Sequence, residues 1–121
     1  MKAINIKEKF SKFDKNWHPH QIAVVDDMQV ILAKLRGEFV WHSHEDEDEL
    51  FQVIKGTLYM QFRDRTEVVK EGELIVVPKG VEHNPYTKND EEVHVLLFEK
   101  LSTAHTGTIK HEKTQTHYPK I

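Results

Sequence analysis

Four side chains in this sequence have the types and spacing to converge on one metal ion: His42, His44, Glu49 and His83. His42 and His44 are two residues apart, and on an extended chain such residues project to the same face. Glu49 opens the apolar stretch that follows the acidic run Glu45-Asp46-Glu47-Asp48. His83 closes the turn-rich segment Pro78-Lys79-Gly80-Val81-Glu82-His83. Three imidazoles and a carboxylate make a mixed nitrogen and oxygen set suited to one divalent transition metal: Fe, Mn, Ni, Cu or Zn. A six-coordinate ion so held keeps about two positions for water or substrate, whereas a closed structural zinc site uses all four protein donors. The chain contains no Cys, which excludes disulfides, thiolate zinc sites and cysteine nucleophiles. With no Ser-His-Asp pattern either, the metal is the strong source of chemistry.

The elements that must position these donors read as short strands. QIAVV (21–25) and MQVILAKLR (28–36) flank a turn at Asp26-Asp27, and the second is apolar on both parities, as a strand covered on both sides would be. Residues 38–44 alternate, with Glu38, Val40, His42 and His44 on one face and Phe39, Trp41 and Ser43 on the other. ELFQVI (49–54) and TLYMQFR (57–63) form a hairpin about Lys55-Gly56. TEVVK (66–70), ELIVV (73–77) and VHVLLF (93–98) complete the set, and Gly80 permits a tight turn before His83. Strands about every ten residues with turn signals between them predict an all-β sandwich or barrel. Residues 4–13 are predicted as a short helix or strand packed on the body, and residues 102–121 as an irregular tail.

Composition bounds the function further. A chain of 121 residues with 38% hydrophobic and 31% charged residues is one globular domain. Net charge is −3, and the Lys residues are scattered around only Arg36, Arg63 and Arg65, so a nucleic-acid partner is not expected. No run approaches the length of a membrane span, and the charged segment Lys2–Lys15 carries no apolar signal region, which makes the cytoplasm the expected location.

The motifs resemble those of the cupin family of small β-barrels. Gly37, His42, His44, Glu49 and Gly56 match its first motif, and Gly72, Pro78, Gly80 and His83 its second. Two positions depart: four residues rather than five separate Gly37 from His42, and Thr87 stands where the second motif has Asn. The similarity is to compact single-domain cupins that are called mannose-6-phosphate isomerase-like. The resemblance implies a double-stranded β-helix, or jelly-roll, with a barrel core at about 21–100, a short N-terminal extension and an irregular C-terminal tail. It implies that His42, His44, Glu49 and His83 hold one divalent metal (Fe, Mn, Ni or Zn). It also implies a small-molecule substrate or ligand and a homodimer. The expected function is a metal-dependent enzyme, of dioxygenase or isomerase or lyase type, acting on a small polar molecule. The alternative is a non-catalytic small-molecule or metal-binding module.

The remaining polar residues are read more plainly. The acidic run 45–48 lacks the spacing of a calcium loop and is a solvated segment. His94 is a packed strand residue, with a hydrogen bond to a ligand or substrate as the sharper alternative. His18 and His20 flank Pro19 in a loop, and His105, His111 and His117 lie in the tail. Arg36, Arg63 and Arg65 are surface residues that could otherwise grip an anion. Tyr59 and Gln61 line the pocket only if their face of the strand turns inward. With ligands inside the barrel, Phe39, Trp41, Leu50 and Ile54 would point outward and need cover from the N-terminal segment or a second chain.

Overall fold

A computed structural model describes residues 1–103 and 118–121. The N-terminal segment forms a single turn-and-a-half helix, α1 (Ile6–Phe10), whose start is fixed by the Asn5 side chain accepting from the Glu8 N–H. Eight strands follow: β1 (His20–Val25), β2 (Met28–Leu35), β3 (Glu49–Lys55), β4 (Leu58–Phe62), β5 (Thr66–Val69), β6 (Leu74–Val77), β7 (His83–Tyr86) and β8 (Val93–Lys100). They form a five-stranded sheet in the order β1-β2-β8-β3-β6 and a three-stranded sheet in the order β5-β4-β7. All strand pairings are antiparallel, as in a jelly-roll barrel.

The space between the sheets is filled from the period-2 pattern. Phe51 and Val53 from β3, Leu58, Met60 and Phe62 from β4, and Val93, Val95 and Leu97 from β8 point inward and form one buried cluster. The outer face of the large sheet carries a second cluster. There Phe10 and Phe13 from the N-terminal segment pack on Leu32, with Ile22, Ile54 and Leu96 around them. This explains the double-faced apolar pattern of β2, whose Ile31 through Leu35 are all buried. One face lines the barrel and the other receives the helix. Lys34 is buried there with its Nζ donating to the Phe13 carbonyl at 2.6 Å.

Several expectations are corrected. Residues 38–44 do not form a continuous strand; only Glu38 and His42 make isolated bridges, to Tyr86 and His83. Strict alternation therefore fails, and Phe39 is a core residue rather than an outward one. Trp41 is half-buried on the outside, covered by the Arg63 guanidinium 3.8 Å from its ring centroid. Ile54 finds its cover in the N-terminal segment. His83 does not sit in a turn but opens β7, a strand that tolerates Pro85 because it lies at a sheet edge. The segment 118–121 docks: Gln21 N–H donates to the Pro119 carbonyl and Ile121 N–H to the Gln21 carbonyl, at 2.8 and 3.1 Å. His105, His111 and His117 lie outside the described residues. No helix among the described residues is long and apolar enough to cross a membrane.

Candidate metal centre

The backbone brings the four donors together through three separate devices. His42 and His83 exchange both of their main-chain hydrogen bonds, at 3.0 and 2.9 Å, which places their side chains next to each other across the bridge. The His44 carbonyl accepts from the Gly80 N–H at 2.7 Å, so the turn before β7 also fixes the second histidine. Glu49 is the first residue of β3 and pairs with Val77 on one side and Glu99 on the other. The two departures from the family motif meet at one contact, between Thr87 and Gly37. Thr87 N–H donates to the Gly37 carbonyl at 2.9 Å, and the Thr87 hydroxyl accepts from the Gly37 N–H at 2.8 Å. This clasp fixes the left-handed turn at Gly37, whose φ is +82°, from which the ligand-bearing segment departs.

One donor atom from each of His42, His44, Glu49 and His83 lies within 4.8 Å of the others. All four residues are 0–3% exposed. The rings of His42 and His83 are oriented from behind: their Nδ1 atoms lie 2.8 and 2.9 Å from the Val40 and Val81 carbonyls. A ring that donates from Nδ1 in this way presents a lone pair at Nε2. The Glu49 Oε1 stands 3.2 Å from His44 Nε2 and 3.5 Å from His83 Nε2. Yet His44 Nδ1 and Nε2, His83 Nε2 and Glu49 Oε1 are all buried without a hydrogen-bond partner. Such orphans cost about 1–3 kcal/mol each when left unsatisfied. One cation at their centre would satisfy those that point inward. The donor chemistry, three imidazole nitrogens and one carboxylate oxygen, fits a divalent transition metal.

The electrostatics agree with a cation site. Burial, followed by the neighbouring His83, pushes the His42 imidazole down to about 3, so it is neutral near neutrality. Burial also works against a charged His44, but the Glu49 carboxylate outweighs it and holds the His44 imidazole above its ordinary value. Burial opposes ionisation of Glu49, and the His44 and His83 rings outweigh that too, keeping its carboxyl below the usual range.

Sequence reasoning missed Glu99. It is fully buried beside Glu49, with neither oxygen hydrogen-bonded. Burial, reinforced by the charge of Glu49, holds its carboxyl well above the ordinary value, so it is kept neutral. The signal was available: Val93, Val95, Leu97 and Glu99 share the inward parity of β8. Trp17 was also missed. It closes the barrel from the segment before β1, in a left-handed conformation with φ 63°.

Other candidates fall outside the site. His94 is on the outer face, stacked on Phe10 at 4.5 Å and 3.0 Å from Glu92 Oε1. His20 begins β1 and stacks on Phe13 at 4.2 Å. Arg36 pairs with half-buried Glu92 and with Asp90, Arg63 with Glu82, and Arg65 with Asp64 and Glu67; the three arginines are themselves exposed. Tyr59 and Gln61 lie on the face of β4 turned away from the core, and Tyr59 stacks on Tyr86 at 5.3 Å. In the acidic run, Asp48 caps the turn by accepting from the Lys79 N–H at 2.9 Å.

The comparisons with known proteins bear on the family and the fold. A cupin domain model matches residues 28–99. The Bacillus subtilis protein YdbB is 40% identical over 82 residues, which is 67% of this chain and 66%, just under two thirds, of that protein. The crystal structure of a cupin-2 domain containing protein from Shewanella frigidimarina superposes with a TM-score of 0.79 at 47% identity, covering 81% of this chain and 94% of that one. A protein from Neisseria meningitidis superposes with a TM-score of 0.74 at 31% identity, covering 82% and 99%.

Proposed function

Because the chain belongs to the cupin family and encloses three imidazoles and a carboxylate in its barrel, we propose that it is a metal-dependent enzyme acting on a small molecule. The observation that carries this reading is the buried convergence of His42, His44, Glu49 and His83 with unpartnered donor atoms. These four residues would hold one Fe, Mn, Ni or Zn ion. When bound, such an ion supplies Lewis acidity or, if redox-active, a place for dioxygen. The chain's own contribution is orientation and exclusion of water. Val40 and Val81 carbonyls fix the His42 and His83 rings, and Glu49 supplies the one negative charge. His42 and Glu49 also border a cavity, which gives a ligand access to the centre.

The reaction is of oxygenase or of isomerase or lyase type. The resemblance to mannose-6-phosphate isomerase-like cupins is carried here as a likeness of architecture. A sugar phosphate needs a cationic anchor, and among the described residues no Lys or Arg lines the cavity, while all three arginines pair with carboxylates elsewhere. The tightness of the cavity, about 30 Å³, favours a second reading, a metal or small-molecule binding module without catalysis. A homodimer belongs to the proposal as well. Val68 on edge strand β5 and Leu74 and Val76 on edge strand β6 are exposed, and β5 and β6 flank one groove. Elution at a monomer mass in gel filtration would remove that part.

The deciding experiment is elemental analysis of protein purified without a His tag, beside a His42→Ala variant. Near one equivalent of Fe, Mn or Ni in the wild type, lost in the variant, supports the enzyme reading. Absence of metal from both after reconstitution refutes it.

A further inference from the structure

The cavity beside the four donors is chemically lopsided. His42 and Glu49 occupy its wall at one side, and the rest is Trp17, Leu35, Phe39, Phe51, Val95, Leu97 and their apolar neighbours. Among the described residues, no Ser, Thr, Asn, Gln, Lys or Arg lines it. A site built for a polyol or sugar would need such groups, because each buried hydroxyl must find a partner. The wall is also held rigidly. Trp17 donates from its backbone to the Lys34 carbonyl and from its indole Nε1 to the Arg36 carbonyl, both at 2.9 Å. Its ring stacks on Phe39 with centroids 4.6 Å apart. Phe39 in turn meets the His42 ring edge-on at 5.3 Å. A bulky residue held at positive φ stores strain that neighbouring contacts must offset. Here it puts an indole over the cavity.

Resting on the metal reading above, we propose that this site selects small amphiphilic ligands: one polar head directed to the centre at His42 and Glu49, and a short apolar body in the chamber under Trp17. Short-chain carboxylic acids have this chemistry, and polyhydroxylated molecules do not. The volume of about 30 Å³ admits only a few heavy atoms, since one water needs roughly 10–15 Å³ on this measure.

The test uses Co(II)-loaded protein with its metal content measured first. Formate, acetate, propionate and butyrate are titrated against the visible spectrum of the ion, with glycolate and glycerate as polar counterparts. Affinity should rise by about fourfold for each methylene buried until the chamber is full, and the hydroxylated acids should bind more weakly than the plain acids of equal chain length. Ala33→Val, which fills the chamber, should abolish the rise, while Leu35→Ala should move its end to a longer chain. If a variant fails to fold, the wild-type series decides alone. Full metal occupancy with a flat series, or with glycolate and glycerate binding more tightly, overturns the amphiphile proposal and leaves the metal reading standing. Protein that takes up no metal overturns both.

Discussion

Loading the four-donor site should raise the melting temperature of the protein by about 10 °C when free metal is held at a hundredfold its dissociation constant. The perturbation is addition of Mn(II), Ni(II) or Zn(II) to chelator-treated protein. A ligand that binds only the folded chain at that excess adds about 2.7 kcal/mol. Unfolding entropy is about 2.1 cal/mol/K per residue, which over 121 residues gives about 0.25 kcal/mol/K, and the ratio of the two is the expected shift. The rise must depend on pH in a definite direction. Glu49 holds a proton on His44 beyond its ordinary titration, and a metal must displace that proton to use the ring. On the acid side of the His44 titration, apparent affinity then falls about tenfold per pH unit, or about 5 °C of shift at fixed metal. Differential scanning fluorimetry at several pH values measures this, with Glu49→Gln and His42→Ala as controls. An unchanged melting temperature with every metal, or a full shift retained in Glu49→Gln, would refute the reasoning.

Four further outcomes follow from the structure. Glu99 has a folded pKa above its ordinary value, so the folded state holds a proton that the unfolded state has lost; metal-free stability should decline as pH rises through that range, and Glu99→Gln should flatten the decline in urea titrations. Its counterpart is His42, neutral in the fold down to about pH 3, which makes metal-free stability fall as pH drops from about 6.5 toward 3, a limb that His42→Ala should weaken. Gly56 has φ +88°, and a Cβ there would meet Glu91 Oε1 and Val93 Cγ2 at 3.1 Å; Gly56→Ala should cost more than about 1 kcal/mol by chemical denaturation. Thr87→Val leaves the Gly37 N–H without its 2.8 Å acceptor and should cost about 1–3 kcal/mol, while Thr87→Ser should retain most of the stability.

How far the sequence could be read depended on where local pattern controls structure. The strands β3, β4 and β8 were legible because each has one face in the barrel, and burial enforces a period of two. β2 was legible as a doubly covered strand, although only the structure shows that helix α1 supplies the outer cover. The four donors were legible through motif spacing, and the structure brings all four together. The stretch 38–44 was misread because it pairs with β7 only at isolated points, Glu38 with Tyr86 and His42 with His83. A segment that pairs at isolated points is free to twist between them, so parity does not predict that Phe39 goes in while Trp41 stays half out. Trp17 was illegible for a different reason: its place depends on hydrogen bonds to Lys34 and Arg36, seventeen or more residues away. Glu99 was overlooked because a carboxylate at a strand end reads as solvated, although it continues the inward parity of β8, where it pairs with Glu49.

The edges of the two sheets have unequal fates. On β1 the outer rim is taken up at Gln21 by residues 119–121, and β7 is taken up by the main chain of Phe39 and His42. Among the described residues, β1 beyond Gln21, with exposed Val24 and Val25, and the opposite side, where β5 and β6 end the two sheets, receive no such cover. An exposed rim is a template on which a foreign strand can grow, and a molecule with open rims at both ends could polymerise without limit. Self-association in which the same surface is consumed on both molecules stops at a pair related by a two-fold axis. The covering of β1 at Gln21 and of β7 therefore acts on the population of chains as well as on the single barrel, because it shortens the rims on which another chain could add.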